Sequence, residues 1–284
     1  MSAPVLLIAA HGTRDAAGVR EALEMLQRVR SAAPGLAVEC GFLELASPGI
    51  PDALDALVAS GARDIVVFPS MLFAAGHTKS DIPSVIALQR LRYPDVRLRY
   101  ARNFGIDGDL LAMVEQRIGE VVSVGDRERT GVLLVGRGSS DPDANSDLFK
   151  IARLLYEGRP YPFVEVSFSG IARPFVPEGL ERCRRLGAEH LVVVPYFLFT
   201  GILPERIKVQ SAVFAREHPE MQVAMARHLW PDDRLARLVL ARYREGIGAN
   251  PFDLPLPSAV LAGDLQHHRG HNHAAEPEEL RRGT

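Results

Sequence analysis

Cysteine is nearly absent. Cys40 and Cys183 are the only two among 284 residues, which excludes a disulfide framework and fits a reducing compartment. Both sit in apolar or helix-like runs, where a free thiol is expected to be a small buried hydrophobe. Long apolar runs are missing too: none approaches the roughly 18 residues of a membrane helix. The apolar stretch from Val5 stops at His11-Gly12 with no basic segment before it, unlike a secretion signal, so a cytoplasmic protein is expected. Charge of one sign is also lacking. The 33 basic and 35 acidic residues leave a net charge of −2, so no overall field draws the chain to nucleic acid or to an anionic membrane. A Gly-rich phosphate loop, a Gly-x-Ser-x-Gly elbow and a Cys-x-x-Cys pair are all absent, and nucleotide, hydrolase and thiol-redox readings therefore lack their motifs. What remains, 47% hydrophobic and 24% charged residues, is the balance of a soluble globular protein long enough for two domains.

What the chain does contain is one unit written twice. Val5-Leu-Leu-Ile-Ala-Ala-His-Gly-Thr-Arg-Asp15 aligns with Gly131-Val-Leu-Leu-Val-Gly-Arg-Gly-Ser-Ser-Asp141. The same offset pairs Ala46–Pro51 with Ala172–Pro177, and Ile65–Phe73 with Leu191–Phe199. One residue slips out of register after Phe73, so that Tyr93-Pro94 meets His218-Pro219 and Ala101-Arg102 meets Ala226-Arg227. Within each unit, short apolar runs (5–10, 37–43, 64–70 and 96–101 in the first) read as strands buried on both faces. Longer segments of helical spacing, such as Val19, Leu23, Leu26 and Val29, separate them. Alternating β and α implies an α/β fold, a parallel sheet with helices on both faces, and ligands bind such sheets beyond the carboxyl ends of the strands. Residues 1–124 are expected to form one domain and 131–247 the second. Residues 248–284 read as a mobile tail, with Pro251, Pro255 and Pro257 preceding a polar, histidine-rich end.

Three side chains at the carboxyl edge of the first unit could carry chemistry. His11 follows the first strand, with Gly12 allowing a sharp turn and Thr13 or Asp15 placed to cap the next helix. Glu44 interrupts the apolar end of the second strand, where an unpartnered carboxylate is costly; alone it reads equally as a salt-bridging residue. His77 follows the third strand behind a run of small residues, Ala74-Ala-Gly76. The repeat supplies the control: the equivalents are Arg137, Gly170 and Ile202, so all three candidates are replaced together while the strands and turns around them persist. Imidazole is a common ligand for Co²⁺, Ni²⁺, Fe²⁺ and Zn²⁺, and a carboxylate of raised pKa accepts protons near neutrality. Two histidines and one carboxylate leave coordination positions open, as suits an ion that must be handed on.

With Ala10-His-Gly-Thr-Arg-Asp15, Phe42-Leu-Glu44 and Phe68-Pro-Ser-Met-Leu-Phe-Ala-Ala-Gly-His77 in place, the chain resembles the sirohydrochlorin chelatases of the CbiX/SirB group of class II chelatases. The duplication and His-rich end resemble that group's long form, over about residues 4–245. The resemblance implies two similar parallel-sheet domains with flavodoxin-like layering, facing each other across a cleft. It implies metal insertion into sirohydrochlorin with release of two protons, the metal held by His11 and His77 and Glu44 assisting deprotonation. Co²⁺ for cobalamin synthesis is the metal the long form suggests, with Fe²⁺ for siroheme a close rival and Ni²⁺ a third option. The metal is a substrate, and no tightly bound cofactor is expected.

Sirohydrochlorin carries eight carboxylates, so cations should line the cleft. Arg14, Lys79, Arg137, Arg173, Arg206 and Lys208 lie on motif-bearing or adjacent segments, and arginine suits bidentate carboxylate contacts. The second unit is therefore read as a substrate-binding copy that lost its metal site. His267, His268, His271 and His273 in the tail are read as accessory metal-gathering residues; His190, His218 and His228 as surface or helix-end residues. A monomer is expected, because the duplication supplies both sides of the cleft. A metallochaperone without turnover is the rival from another class, since it would use the tail but need no base.

Overall fold

The computed structural model describes residues 4–248; the tail histidines lie outside the described residues. Each repeat is a β-α-β-α-β-α-β-α unit, as its periodicity requires. The first runs β1 (Val5–Ala10), α1 (Ala16–Ala32), β2 (Val38–Phe42), α2 (Ile50–Ala59), β3 (Asp64–Pro69), α3 (Ile82–Arg92), β4 (Arg97–Tyr100) and α4 (Gly108–Gly119). The second runs β5 (Thr130–Gly136), α5 (Pro142–Glu157), β6 (Val164–Phe168), α6 (Val176–Arg185), β7 (His190–Pro195), α7 (Ile202–Glu217), β8 (Gln222–Met225) and α8 (Asp233–Gly248). The strands form two four-stranded sheets, ordered β2-β1-β3-β4 and β6-β5-β7-β8, with every pair parallel. The chain leaves β1 toward β2 and returns on its other side as β3. The crevice where strand order reverses therefore lies between β1 and β3, and that is where such sheets bind ligands. Among the described residues no helix is long and apolar enough to cross a membrane.

Strand alternation divides the apolar side chains between an inner and an outer layer. Leu6, Ile8 and Ala10 of β1 join one large core with Val132 and Leu134 of β5, whereas Leu7 and Ala9 pack beneath α2 and α3, and Leu133 and Val135 beneath α6 and α7. The inner core is continuous across both sheets. Cys40 and Cys183 are buried, and burial pushes both thiols up to about 12.

The repeats do not close on themselves. Helix α8, the last of the second repeat, packs on the first sheet: a Cβ at Gly246 would meet Val66 Cγ1 at 2.7 Å and Ala101 Cβ at 3.0 Å. Tyr243 Oη donates to the Pro4 carbonyl at 2.5 Å. Buried Arg242 donates to the Phe104 carbonyl at 2.7 Å and to Asp107 at 2.9 Å. Helix α4 does the converse through Arg117, which is fully buried and donates to the carbonyls of His228 at 3.0 Å, Leu229 at 2.5 Å and Pro231 at 2.9 Å. The closing helices are thus exchanged. A buried guanidinium is tolerated only when its donors are satisfied, and here they bind backbone groups of the other repeat. The exchange helps hold the two sheets in one arrangement, with Phe73 beyond β3 stacked on Tyr196 beyond β7, their centroids 5.5 Å apart.

Candidate active site

Parallel pairing continues past the strand ends and sets the first two site residues side by side. Leu43 N donates to the Ala10 carbonyl at 2.8 Å and Glu44 N to that of His11 at 3.0 Å. This approach needs a glycine. Gly12 has φ +91°, and a Cβ there would fall 1.8 Å from the Glu44 carbonyl oxygen, so any side chain would push the His11 turn off the Glu44 turn. Asp15 then caps α1, accepting from Ala17 N at 2.8 Å. His77 arrives from β3 on the far side of the crevice. The small residues before it lead into a π-helical turn, His77–Asp81, that runs directly into α3; such turns recur at functional sites because they re-aim one side chain. The turn is tied down by Thr78, whose carbonyl accepts from Tyr100 Oη at 2.9 Å.

The result is convergence. The rings of His11 and His77 meet edge to face with centroids 4.6 Å apart, and His11 Nε2 lies 3.5 Å from Glu44 Oε1. One ligand atom from each of His11, Glu44 and His77 lies within 4.8 Å of the others, and among the described residues this is the one such cluster. Glu44 Oε1 is buried without a hydrogen-bond partner, an expensive arrangement for a carboxylate unless a cation or proton arrives. Both ring orientations are set from behind. His11 Nδ1 lies 3.0 Å from the Gly12 carbonyl and His77 Nδ1 2.6 Å from Asp81 Oδ2. Carbonyl and carboxylate oxygens only accept, so each Nδ1 carries the proton and each Nε2 lone pair is free for a metal. Burial, and then the neighbouring His77, hold the His11 pKa below its ordinary value, which favours the neutral imidazole that a metal would need. Asp81 escaped the sequence reading. Its signal was the four-residue spacing from His77, which puts the two on one face of a helical turn.

The second repeat contributes one residue to this cluster's field. Arg137, at the position equivalent to His11, lies near enough for its charge to lower the His11 pKa, while the charge of Glu44 acts on Arg137 in turn. Lys79 crosses between the repeats, its Nζ 2.7 Å from Asp141 and 2.8 Å from Asp143. Arg14 is exposed on the turn after His11. Arg173 pairs with Glu178 at 3.1 Å and covers the Phe175 ring, and Lys208 lies 3.7 Å from Glu205 on its own helix. Arg206 is half-buried on the same helix. His218 lies at the end of α7 as read from the sequence. His228 departs from that reading: half-buried, its Nε2 meets both oxygens of Glu21 at 3.1 and 3.2 Å. Glu21 also accepts from Thr200 N at 2.6 Å, so this pair ties α1 to the second repeat.

Comparison with known proteins agrees with this geometry. Residues 5–121 and 131–246 each match the CbiX family. The sirohydrochlorin cobaltochelatase of Priestia megaterium is 39% identical over 246 residues, 85% of this chain and 79% of the relative. The sirohydrochlorin ferrochelatase of the same organism is 36% identical over 234 residues, 82% of this chain and 87% of the relative. The solved structure of SirB from Bacillus subtilis with Fe³⁺ superposes with a TM-score of 0.77 at 32% identity, covering 86% of this chain and 96% of that one. With the family matched separately over both repeats and each relative covered along most of its length, the chain belongs to the CbiX family.

Proposed function

We propose that this protein is a chelatase that inserts Co²⁺ into sirohydrochlorin in the cytoplasm, as a step of cobalamin synthesis, and that a monomer suffices for it. The observation that carries the reading is the cluster itself: one ligand atom each of His11, Glu44 and His77 within 4.8 Å of one another, with Glu44 Oε1 buried and without a hydrogen-bond partner, at the crevice of the first sheet and, among the described residues, nowhere else. The ion enters as a substrate held by His11 and His77, with its remaining positions open to ring nitrogens. Insertion replaces two pyrrole N–H protons by one divalent cation, so two protons must leave. Glu44, 3.5 Å from His11 Nε2, is the base beside the metal that receives them in turn and passes them to solvent. Arg137 opposite the cluster, together with Arg14, Lys79, Arg173, Arg206 and Lys208, supplies positive charge for the substrate's carboxylates. For Lys79 this means exchanging Asp141 and Asp143 for a substrate carboxylate.

Imidazole and carboxylate ligands separate first-row metals poorly, and the relatives include both cobalto- and ferrochelatases, so Fe²⁺ is the second reading. The test is spectral. Sirohydrochlorin is mixed with Co²⁺, Fe²⁺ or Ni²⁺, separately and in competition, and the Soret band is followed with and without protein. Acceleration that is greatest for Co²⁺ is expected. Preference for Fe²⁺ would move the assignment to siroheme synthesis, and metal binding without acceleration for any ion would leave a metallochaperone. The histidines of the tail are proposed to gather metal, so removing residues 264–284 should slow insertion only when metal is scarce.

A further inference from the structure

Two exposed apolar side chains directly follow Glu44 and its counterpart Gly170 in the chain. Leu45 and Ile171 occupy equivalent positions in the two repeats, each with φ +62°. They are the described non-glycine residues with positive φ, a conformation that costs any side chain and most of all a β-branched one such as isoleucine. Neither is compensated by burial: Leu45 is 42% and Ile171 62% exposed. Neither belongs to the three apolar cores, although Leu43, Ala46 and Ala172 beside them do. A solvent-facing turn in this conformation is best served by glycine or asparagine. Yet an apolar residue stands there twice, in the stretch where His11, Glu44 and His77 have become Arg137, Gly170 and Ile202.

Their position points to a ligand. Glu44 N donates to the His11 carbonyl and Gly170 N to the Arg137 carbonyl, so each apolar residue follows directly a residue hydrogen-bonded to a strand-end site position. Strain retained beside a reacting centre is a reason to look for a functional contact. The substrate class supplies it. A tetrapyrrole with charged substituents at its rim still has a broad apolar ring, and the metal must enter through the face of that ring. Cations can hold the rim, but only apolar side chains near the metal gain by covering the ring.

We propose that Leu45 and Ile171 are substrate-positioning residues that pack against the tetrapyrrole ring, Leu45 from the metal-bearing repeat and Ile171 from the other. The inference rests on the chelatase reading above. Because the native conformation is one that glycine adopts more easily, substitution separates function from folding. Leu45→Gly and Ile171→Gly should each leave the melting temperature unchanged or raised. Each should raise KM for sirohydrochlorin about tenfold, as loss of one large apolar contact would. The affinity for Co²⁺ alone, measured by direct titration, should not change. Ile171→Asn, a polar residue that tolerates the same φ, should behave as Ile171→Gly does. An unchanged KM in both glycine variants would overturn the proposal. So would a lowered melting temperature accompanying the raised KM, since the side chains would then be holding their loops. Wild-type protein that fails to bind sirohydrochlorin in a fluorescence titration would instead overturn the chelatase reading, and this proposal with it.

Discussion

The two repeats share a backbone and differ in chemistry, and the places where they differ are few. Gly12 and Gly138 both take positive φ, at +91° and +85°, against the carbonyls of Glu44 and Gly170. The ties of the exchanged helices are duplicated residue for residue. Arg117 reaches Glu120 and Asp232, and Arg227 reaches Glu120; Arg242 reaches Glu245 and Asp107, and Arg102 reaches Glu245. At the carboxyl edge the pairs diverge: His11 against Arg137, Glu44 against Gly170, His77 against Ile202 and Asp81 against Arg206. Architecture and chemistry therefore occupy separable residues. The frame needs both copies because each sheet is covered by the other's helix, whereas the proposed ion site needs only one.

Four experiments press on that contrast. The largest effect is expected at Glu44. Glu44→Gln keeps the shape, removes the base, and should lower kcat by about 10²- to 10⁴-fold while Co²⁺ still binds; steady-state Soret assays with a parallel metal titration check it. A loss confined to metal affinity would make Glu44 a ligand rather than a base. Next come the duplicated arginines. Arg117→Met and Arg242→Met each take the guanidinium donor away from backbone carbonyls of the other repeat, and each should cost about 3 kcal/mol in urea unfolding. A large cost in one variant beside a negligible cost in the other would mean that only one helix crossing holds the frame. Smaller again is Asp81→Ala, which frees the His77 ring and should weaken Co²⁺ binding about 10- to 100-fold, read by isothermal titration without tetrapyrrole. Equal affinity in the variant would show that the π-helical turn orients His77 unaided.

The smallest effect is one of pH. The Arg227 guanidinium, with Arg117, holds Glu120 down at about 2, and Arg102 with Arg242 lowers its counterpart Glu245. A folded-state pKa below the unfolded value of 4.5 means that the unfolded chain binds protons first as pH falls. The contribution is therefore complete above about pH 4.5 and lost as pH drops from there toward 2. Glu120→Gln should flatten the fall in melting temperature across that window, and Glu245→Gln should do so less. Identical acid profiles for wild type and both variants would contradict the shared ties.

Much of this was legible beforehand, for identifiable reasons. Short continuous apolar runs alternating with segments of helical spacing imply a parallel α/β sheet, and the duplication followed from self-alignment alone. His11, Glu44 and His77 stood out because the second copy had replaced them as a set. The helix exchange was invisible. Both α4 and α8 carry an apolar stripe, and nothing local tells a helix which sheet it covers. Lys79 read as a cation open to substrate because its partners, Asp141 and Asp143, are brought to it only by the fold. The histidine-rich tail lies outside the described residues.

By itself, then, the sequence determined the repeated α/β unit, the carboxyl edge at which the candidate site sits, and the three residues proposed to form it. These depend on local spacing and residue type. Tertiary structure alone decided that the two imidazoles meet at 4.6 Å, that the Gly12 carbonyl and Asp81 each engage one Nδ1, and that each repeat is closed by the other's helix. Those facts depend on which distant segments pack together, and the free energy of packing is a property of the whole core and not of any window of the chain.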